Sequence, residues 1–234
     1  MEIKQIAVIH TGFSEKFGIP RQSGLVREAQ GLIEFLPEYR SKEALRGLEG
    51  YSHIWVLWEF SKAQKEHWAA TVTPPRLGGK KRMGVFATRS PFRPNPIGMS
   101  VVKLEEIVED EKKGMMLRVS GVDMLDQTPV FDIKPYLPYA DSYPNALSGF
   151  AGDVFEHRLD VVFPKILLEK LPETIRPAVI ALLEQDPRTA FINDESRIWG
   201  LSYEGYNIRF TVSGNVLTVC EVTLLSANGK TRQT

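Results

Sequence analysis

The sequence predicts a mainly β protein, an antiparallel sandwich or barrel followed by a smaller C-terminal α+β domain. Short runs rich in β-branched and aromatic residues follow one another through the first two-thirds of the chain. No long amphipathic helix interrupts these runs, and the longest helical pattern comes later, at residues 164–185. An array of βαβ units is therefore not expected.

The strands are predicted from the N-terminus onward, each from its β-prone composition. They cover residues 3–9, 32–36, 51–60, 83–88, 98–108, 115–122 and 129–133. The polar sequence of residues 109–114 predicts a hairpin connection between the fifth and sixth of these strands. Short helices are predicted at residues 42–48 and 62–68.

A change in composition near residues 138–153 predicts the domain boundary. This stretch combines Pro, Ser, Gly and Asp without any period, as a linker or long loop does. The expected domains are therefore residues 1–145 and 146–234. In the second domain, residues 164–185 have a helical pattern that Pro172 and Pro177 divide, and two strands flank the turn at residues 213–215.

The charge balance and the single cysteine restrict the class of protein. Lys and Arg total 29, Asp and Glu total 29, and the formal net charge is zero, which argues against a protein that coats nucleic acid by bulk charge. Cys220 stands in an apolar run and is predicted to be a small buried residue. We expect a cytoplasmic protein without a membrane span, since no apolar stretch is long enough to cross a bilayer.

Residues 74–100 contain a local excess of positive charge. The segment includes six basic residues and no acidic one, and the basic residues are Arg76, Lys80, Lys81, Arg82, Arg89 and Arg93. Such a patch attracts phosphate groups, and its binding weakens as salt is added. A solvated basic loop is the alternative interpretation.

Three prolines stiffen the second half of this segment. Arg93 and Asn95 each precede a proline, so their backbones are held extended between Pro91, Pro94 and Pro96. A stiff segment loses less conformational entropy when it binds a ligand. This pattern favours a ligand-binding loop, although a rigid turn between strands would also use proline.

Other patterns are weaker. Asp123, Asp126 and Asp132 could supply a general base, but aspartate is also common in ordinary turns. The sequence contains no glycine-rich dinucleotide motif, no phosphate-binding P-loop and no spacing typical of a zinc site, so no metal is expected. The residues alone indicate a β-rich domain that handles a nucleotide or RNA.

Several motifs together resemble the TrmO family of tRNA methyltransferases. The longest are RLGG at residues 76–79, MGVFATRS at 83–90 and FRPNPIGMS at 92–100. Shorter ones are PRQ at 20–22, RGLE at 46–49, DIKPY at 132–136 and QDPR at 185–188. These motifs extend over nearly the whole chain.

The resemblance implies a β-barrel that binds S-adenosylmethionine (SAM) without a Rossmann fold, in a homodimer with SAM close to the subunit interface. It also implies methylation of N6 of N6-threonylcarbamoyladenosine at position 37, in the anticodon loop of threonine tRNA. An RNA- or nucleotide-binding module without catalysis, and a SAM enzyme with another substrate, are the alternatives.

The resemblance also assigns site residues. The expected SAM contacts are Pro20, Arg21, Gln22, Ser61, Lys62, Arg89, Met99, Asp123, Met124, Leu125 and Asp126. The expected tRNA contacts are Arg76, Lys81, Arg82, Arg93, Asn95, Asp186 and Arg188. Asp126 is the candidate catalytic residue, either as the base that removes the acceptor proton or as the group that orients the acceptor.

Overall fold

The computed structural model describes residues 2–62, 68–74, 81–154, 158–188 and 194–225. The strands are β1 (Ala7–Thr11), β2 (Gln30–Phe35), β3 (His53–Glu59), β4 (Thr71–Val72), β5 (Met83–Gly84), β6 (Ile97–Asp110), β7 (Gly114–Ser120), β8 (Thr128–Pro135), β9 (Asp160–Val162), β10 (Trp199–Tyr203), β11 (Tyr206–Ser213) and β12 (Val216–Leu224). The α-helices are α1 (Pro138–Asp141), α2 (Lys165–Leu168) and α3 (Arg176–Glu184). Short 3-10 helices occupy Lys42–Leu45, Leu48–Gly50, Val85–Ala87 and Gly149–Val154.

Six strands close into a barrel in the order β1-β2-β7-β6-β3-β8, and every neighbouring pair is antiparallel. Alternate residues of each strand point inward, because successive side chains of a strand face opposite sides of a sheet. In β3, for example, Ile54, Val56 and Trp58 are buried, whereas the residues between them are partly exposed. The predicted antiparallel barrel is confirmed.

A second sheet, of order β10-β11-β12-β9, forms the smaller C-terminal α+β region. Helix α3 supplies four buried side chains there, from Ala178, Val179, Leu182 and Leu183. This region packs against the segment that follows β1, since the rings of Phe13 and Tyr203 lie 5.1 Å apart and those of Phe17 and Trp199 stack at 6.1 Å. The Glu204 N–H also donates to the Gly12 carbonyl at 3.0 Å.

Some local predictions are wrong or incomplete. Residues 83–88 were expected to form one strand, but only β5 is extended, and the chain then turns because the Thr88 N–H donates to the Val85 carbonyl at 3.1 Å. Cys220 is exposed, since the alternation of β12 turns Leu217 and Val219 inward instead. The first strand lies at Ala7–Thr11, later than the predicted residues 3–9.

The short strands β9 and β10 were not predicted. Residues 63–67 of the helix predicted at 62–68 lie outside the described residues, as does the predicted polar tail at 226–234. In the described parts of the chain, no helix is both long and apolar enough to cross a membrane.

Gly98 is required by close packing inside the barrel. A Cβ atom on Gly98 would lie 2.2 Å from Trp58 Cε2, and the Trp58 ring is held by a hydrogen bond from its Nε1 to Ser100 Oγ at 3.0 Å. We expect Gly98→Ala to lower the free energy of unfolding by about 1–3 kcal/mol, as overpacking of a core does. Urea denaturation measures this loss.

Gly84→Ala is the matched control for this substitution. No heavy atom lies within 4 Å of the Cβ position of Gly84, and its φ of −57° suits alanine. Its free energy of unfolding should stay near the wild-type value, and equal stability of the two variants would contradict the packing described for Trp58.

Candidate functional site

One end of the barrel gathers almost all of the predicted site residues. Strands β1, β3 and β7 run toward this end and β2, β6 and β8 run away from it, because each strand is antiparallel to both neighbours. Residues 12–29, 60–96 and 121–127 are therefore the three connections at this end. Loops that a rigid barrel brings together are a common location for binding residues.

Arg89 links two of these three connections and lies near the third. Its Nη1 donates to Gln22 Oε1, which belongs to the first connection. Its positive charge also acts on the carboxylate of Asp123, in the third connection. Three predicted cofactor residues, far apart in sequence, thus lie together beside the barrel.

Two serines and a tryptophan complete this cluster and were missed in the sequence. Ser100 Oγ donates to Asp123 Oδ1 at 2.6 Å and accepts from Trp58 Nε1 at 3.0 Å. Ser23 Oγ accepts from the Val101 N–H at 3.2 Å and so fixes the first connection to β6. The available signal was that Ser100 occupies an inward position of β6, where a polar side chain needs a buried partner.

Burial raises the pKa of Asp123 to about 6. Hydrogen bonds from the Ser100 hydroxyl and from backbone N–H groups, together with the charge of Arg89, favour the ionised form, but the loss of water outweighs them. A carboxylate whose folded pKa lies above its unfolded value contributes stability below pH 4, and this contribution is lost as the pH rises through about 6.

Asp123→Asn is therefore expected to be more stable than the wild type at pH 7, by up to about 3 kcal/mol, and nearly equal to it at pH 4. Asparagine has a similar shape and carries no charge to desolvate. Urea unfolding of both proteins without added ligand, at pH 4, 5, 6 and 7, measures this difference. A difference that does not change between pH 4 and pH 7 would contradict the raised pKa.

Asp126 lies on the β1 side of the same end. Its Oδ1 accepts from the Thr11 N–H at 3.1 Å and lies 3.9 Å from His10 Nδ1, and its own N–H donates to the Phe13 carbonyl at 2.9 Å. The carboxylate is partly exposed, so it combines a fixed orientation with access to a ligand. This geometry is suitable for accepting a proton.

Glu204, in the turn between β10 and β11, adds a second carboxylate that sequence reasoning missed. A Cβ atom on Gly12 would lie 2.7 Å from Glu204 Oε1, so the glutamate covers Gly12 closely. Burial, and then the negative charge of Asp126, raise the pKa of Glu204. The C-terminal region thus places an acidic group near Asp126.

Met124 and Leu125 contribute differently from the aspartates on either side of them. The Met124 side chain is fully buried in the core, and its carbonyl accepts from Thr11 Oγ1 at 3.0 Å. The Leu125 carbonyl accepts from Thr128 Oγ1 at 2.7 Å. These contacts fix the backbone between Asp123 and Asp126, so Met124 acts in the structure as a core residue.

The basic segment, residues 74–100, lies in the second connection and the start of β6, and its described part is partly folded onto itself. Arg93 Nη1 donates to the Thr88 carbonyl at 3.2 Å, and the Asn95 carbonyl accepts from the Ile97 N–H at 2.8 Å. Lys81 and Arg82 are exposed. Arg76 lies outside the described residues.

Three other predicted cofactor residues are exposed at the edges of this site. Ser61 and Lys62 follow β3, and the Lys62 carbonyl accepts from Lys16 Nζ. Met99 lies on the outer face of β6, opposite Leu57 in the strand pairing. Pro20 is buried beneath the same loop that presents Arg21 and Gln22.

Asp186 and Arg188, predicted to contact tRNA, pair with each other. Arg188 Nε and Nη2 donate to the two carboxylate oxygens of Asp186 at 2.8 and 2.9 Å, and the side chains are only 14% and 13% exposed. The Asp186 carbonyl accepts from Arg21 Nη2 at 3.4 Å. The ion pair holds the Arg188 guanidinium close to the Asp186 carboxylate, and the Asp186 backbone links this turn to the loop of Arg21.

Family models and named relatives identify the chain. The model described as the tRNA-methyltransferase O N-terminal domain matches residues 8–142, and the TrmO C-terminal domain matches residues 156–225. An Escherichia coli (strain K12) protein named tRNA (adenine(37)-N6)-methyltransferase is 41% identical over 220 residues, which cover 91% of this chain and 93% of that protein.

A second relative and a crystal structure support membership of the same family. A Pseudomonas aeruginosa protein described as a candidate S-adenosylmethionine-dependent methyltransferase is 40% identical over 219 residues, covering 85% of this chain and 89% of that protein. A crystal structure of TrmO from Pseudomonas aeruginosa superposes with a TM-score of 0.78 at 34% identity, covering 96% of this chain and 97% of that one. Since both family models match and the similarity extends over nearly the whole chain, this protein belongs to the TrmO family.

Proposed function

We propose that this protein is a SAM-dependent methyltransferase that methylates N6 of N6-threonylcarbamoyladenosine at position 37 of threonine tRNA. The observation that supports this most strongly is the 41% identity, over 91% of the chain, with the named Escherichia coli enzyme. The cluster of Gln22, Arg89 and Asp123 provides a matching place for a cofactor.

The proposed cofactor site is the end of the barrel that carries this cluster. Bound SAM would supply an activated methyl group on a cationic sulfonium. Arg21 and Arg89 have the charge and the planar donors that a carboxylate such as that of SAM requires. Asp123 can accept hydrogen bonds from hydroxyl groups or face a positive charge. The donor set therefore fits SAM without a glycine-rich phosphate loop.

The neighbouring basic segment is the proposed tRNA surface. Lys81, Arg82, Arg93 and Arg76 would neutralise phosphates around the anticodon loop, and the unpaired adenosine can be turned outward without breaking a duplex. Asn95 would contribute its side-chain amide. Asp186 and Arg188 are the proposed tRNA contacts of the C-terminal region, and the Asp186 carbonyl also accepts from Arg21 of the cofactor site.

Asp126 is the proposed proton acceptor. The acceptor nitrogen belongs to a urea-like group and is a poor nucleophile, so removal of its proton to the Asp126 carboxylate assists its attack on the methyl group. The Thr11 N–H holds that carboxylate in place before the substrate arrives. Positioning of the two reactants can supply about 7–11 kcal/mol of the remaining acceleration.

The proposal includes a cytoplasmic homodimer with domains that meet near residue 145. The resemblance to the family supports the dimer and the separate match of the two family models supports two domains. Analytical ultracentrifugation measures the oligomeric state, and a monomer at micromolar concentration would contradict the dimer.

Two binding measurements test the proposal. SAM binding, measured by calorimetry, should be nearly independent of salt. The Kd for threonine tRNA should rise roughly 50-fold between 50 and 200 mM salt if about four phosphates are neutralised. A protein that binds tRNA but does not bind SAM would contradict the proposed enzyme activity. A protein that binds SAM but shows no salt-sensitive binding of tRNA would contradict the proposed RNA substrate.

A further inference from the structure

Two large aromatic rings lie exposed beside the basic segment. Trp68 is 52% exposed and Phe86 is 73% exposed, and their ring centroids lie 6.2 Å apart with an interplanar angle of 30°. Isolated apolar side chains at a surface are common, but two adjacent aromatic rings that stack on each other form a patch. A patch of this kind is typical of a binding surface.

The backbone around the two rings is fixed by a small sheet. Strands β4 and β5 pair with each other, and the Val85 N–H donates to the Ala70 carbonyl at 2.9 Å. The Arg82 guanidinium also donates to Thr71 Oγ1, from Nε at 2.9 Å and from Nη2 at 2.6 Å. The two rings are therefore held side by side before any ligand binds, which lowers the entropy cost of binding.

The charge around the rings favours one kind of ligand. Residues 68–100 contain no acidic residue, and the basic side chains of Lys81, Arg82, Arg89 and Arg93 lie in the same connection of the barrel. A ligand that suits this surface has flat faces and negative charge. Unpaired nucleotides have both, and aromatic rings beside basic side chains are the usual way in which proteins bind them.

We propose that Trp68 and Phe86 form a stacking surface for an unpaired base of the bound tRNA loop. This inference depends on the proposed function, since it assigns a further contact to the same substrate. The connection that carries the rings leaves the barrel at the end where Arg89 and Asp123 lie, so one RNA loop can meet both.

The test compares aromatic and non-aromatic side chains at both positions. We expect Trp68→Ala and Phe86→Ala each to weaken binding of a labelled anticodon stem-loop RNA roughly 5-fold to 150-fold, because one stacking partner is lost. Trp68→Phe and Phe86→Trp should bind the RNA nearly as tightly as the wild type. The Kd for SAM should stay unchanged in all four variants.

Tyr139→Ala is the matched control, because Tyr139 is an exposed aromatic residue that follows β8, at the opposite end of the barrel. It should leave RNA binding unchanged. If the alanine variants bind RNA like the wild type, the stacking inference is overturned. This includes the case in which the alanine substitutions dissociate a dimer, which would show that a second copy of the chain covers the two rings. If the wild type binds no RNA while it binds SAM, the proposed RNA substrate itself is overturned.

Discussion

Replacement of Asp126 by asparagine is expected to lower kcat roughly 100-fold to 10,000-fold, with little change in the Kd for SAM. Asparagine has the same shape and keeps an oxygen that can accept from the Thr11 N–H, which lies 3.1 Å from Asp126 Oδ1. It cannot take up the proton of the acceptor nitrogen. The loss should therefore appear in the chemical step and not in cofactor binding.

Single-turnover kinetics with saturating SAM and saturating tRNA measure this step. Asp160→Asn, the same substitution on β9 of the C-terminal sheet, serves as the control and should keep the wild-type rate. Near-wild-type turnover of Asp126→Asn would show that Asp126 is not the proton acceptor. A change confined to the KM for tRNA would make it a residue that orients the substrate.

Replacement of Arg89 by methionine is expected to weaken SAM binding roughly 10-fold to 150-fold, since a hydrogen bond to a charged group contributes about 1.5–3 kcal/mol. Methionine keeps much of the length of the side chain but loses the contact to Gln22 and the positive charge beside Asp123. Both losses affect the cluster that joins the three connections of the barrel.

Isothermal titration calorimetry with SAM measures the effect of this substitution. Arg209→Met removes the same charge from the C-terminal sheet, where Arg209 forms an exposed ion pair with Glu221, and should bind SAM normally. Equal SAM affinity of the two variants would exclude Arg89 from the cofactor site.

The barrel strands could be predicted because local patterns determine them. The β-branched and aromatic composition of β3, and the polar turn between β6 and β7, are both visible in a short stretch of sequence. The order of the strands could not be predicted in this way. Closure depends on the pairing of Ala7 with Val130, more than a hundred residues away, and periodicity does not report which strands are neighbours.

The candidate site could likewise be predicted only in part from the sequence. The resemblance suggested Gln22, Arg89 and Asp123 one by one as cofactor contacts, but their meeting at one end of the barrel depends on the topology. Ser100 and Glu204 were missed because each acts through a partner distant in sequence, Asp123 and Gly12 respectively. The ion pair of Asp186 with Arg188 was also unexpected, since the motif suggested exposed RNA contacts.

Transfer of a labelled methyl group from SAM to threonine tRNA tests the proposed reaction most directly. The comparison uses tRNA that carries the threonylcarbamoyl group at adenosine 37 and tRNA that lacks it. We predict that only the modified tRNA is labelled and that nuclease digestion finds the label on N6 of nucleotide 37. Absence of label from both tRNAs, in a protein that still binds SAM, would contradict the proposed substrate.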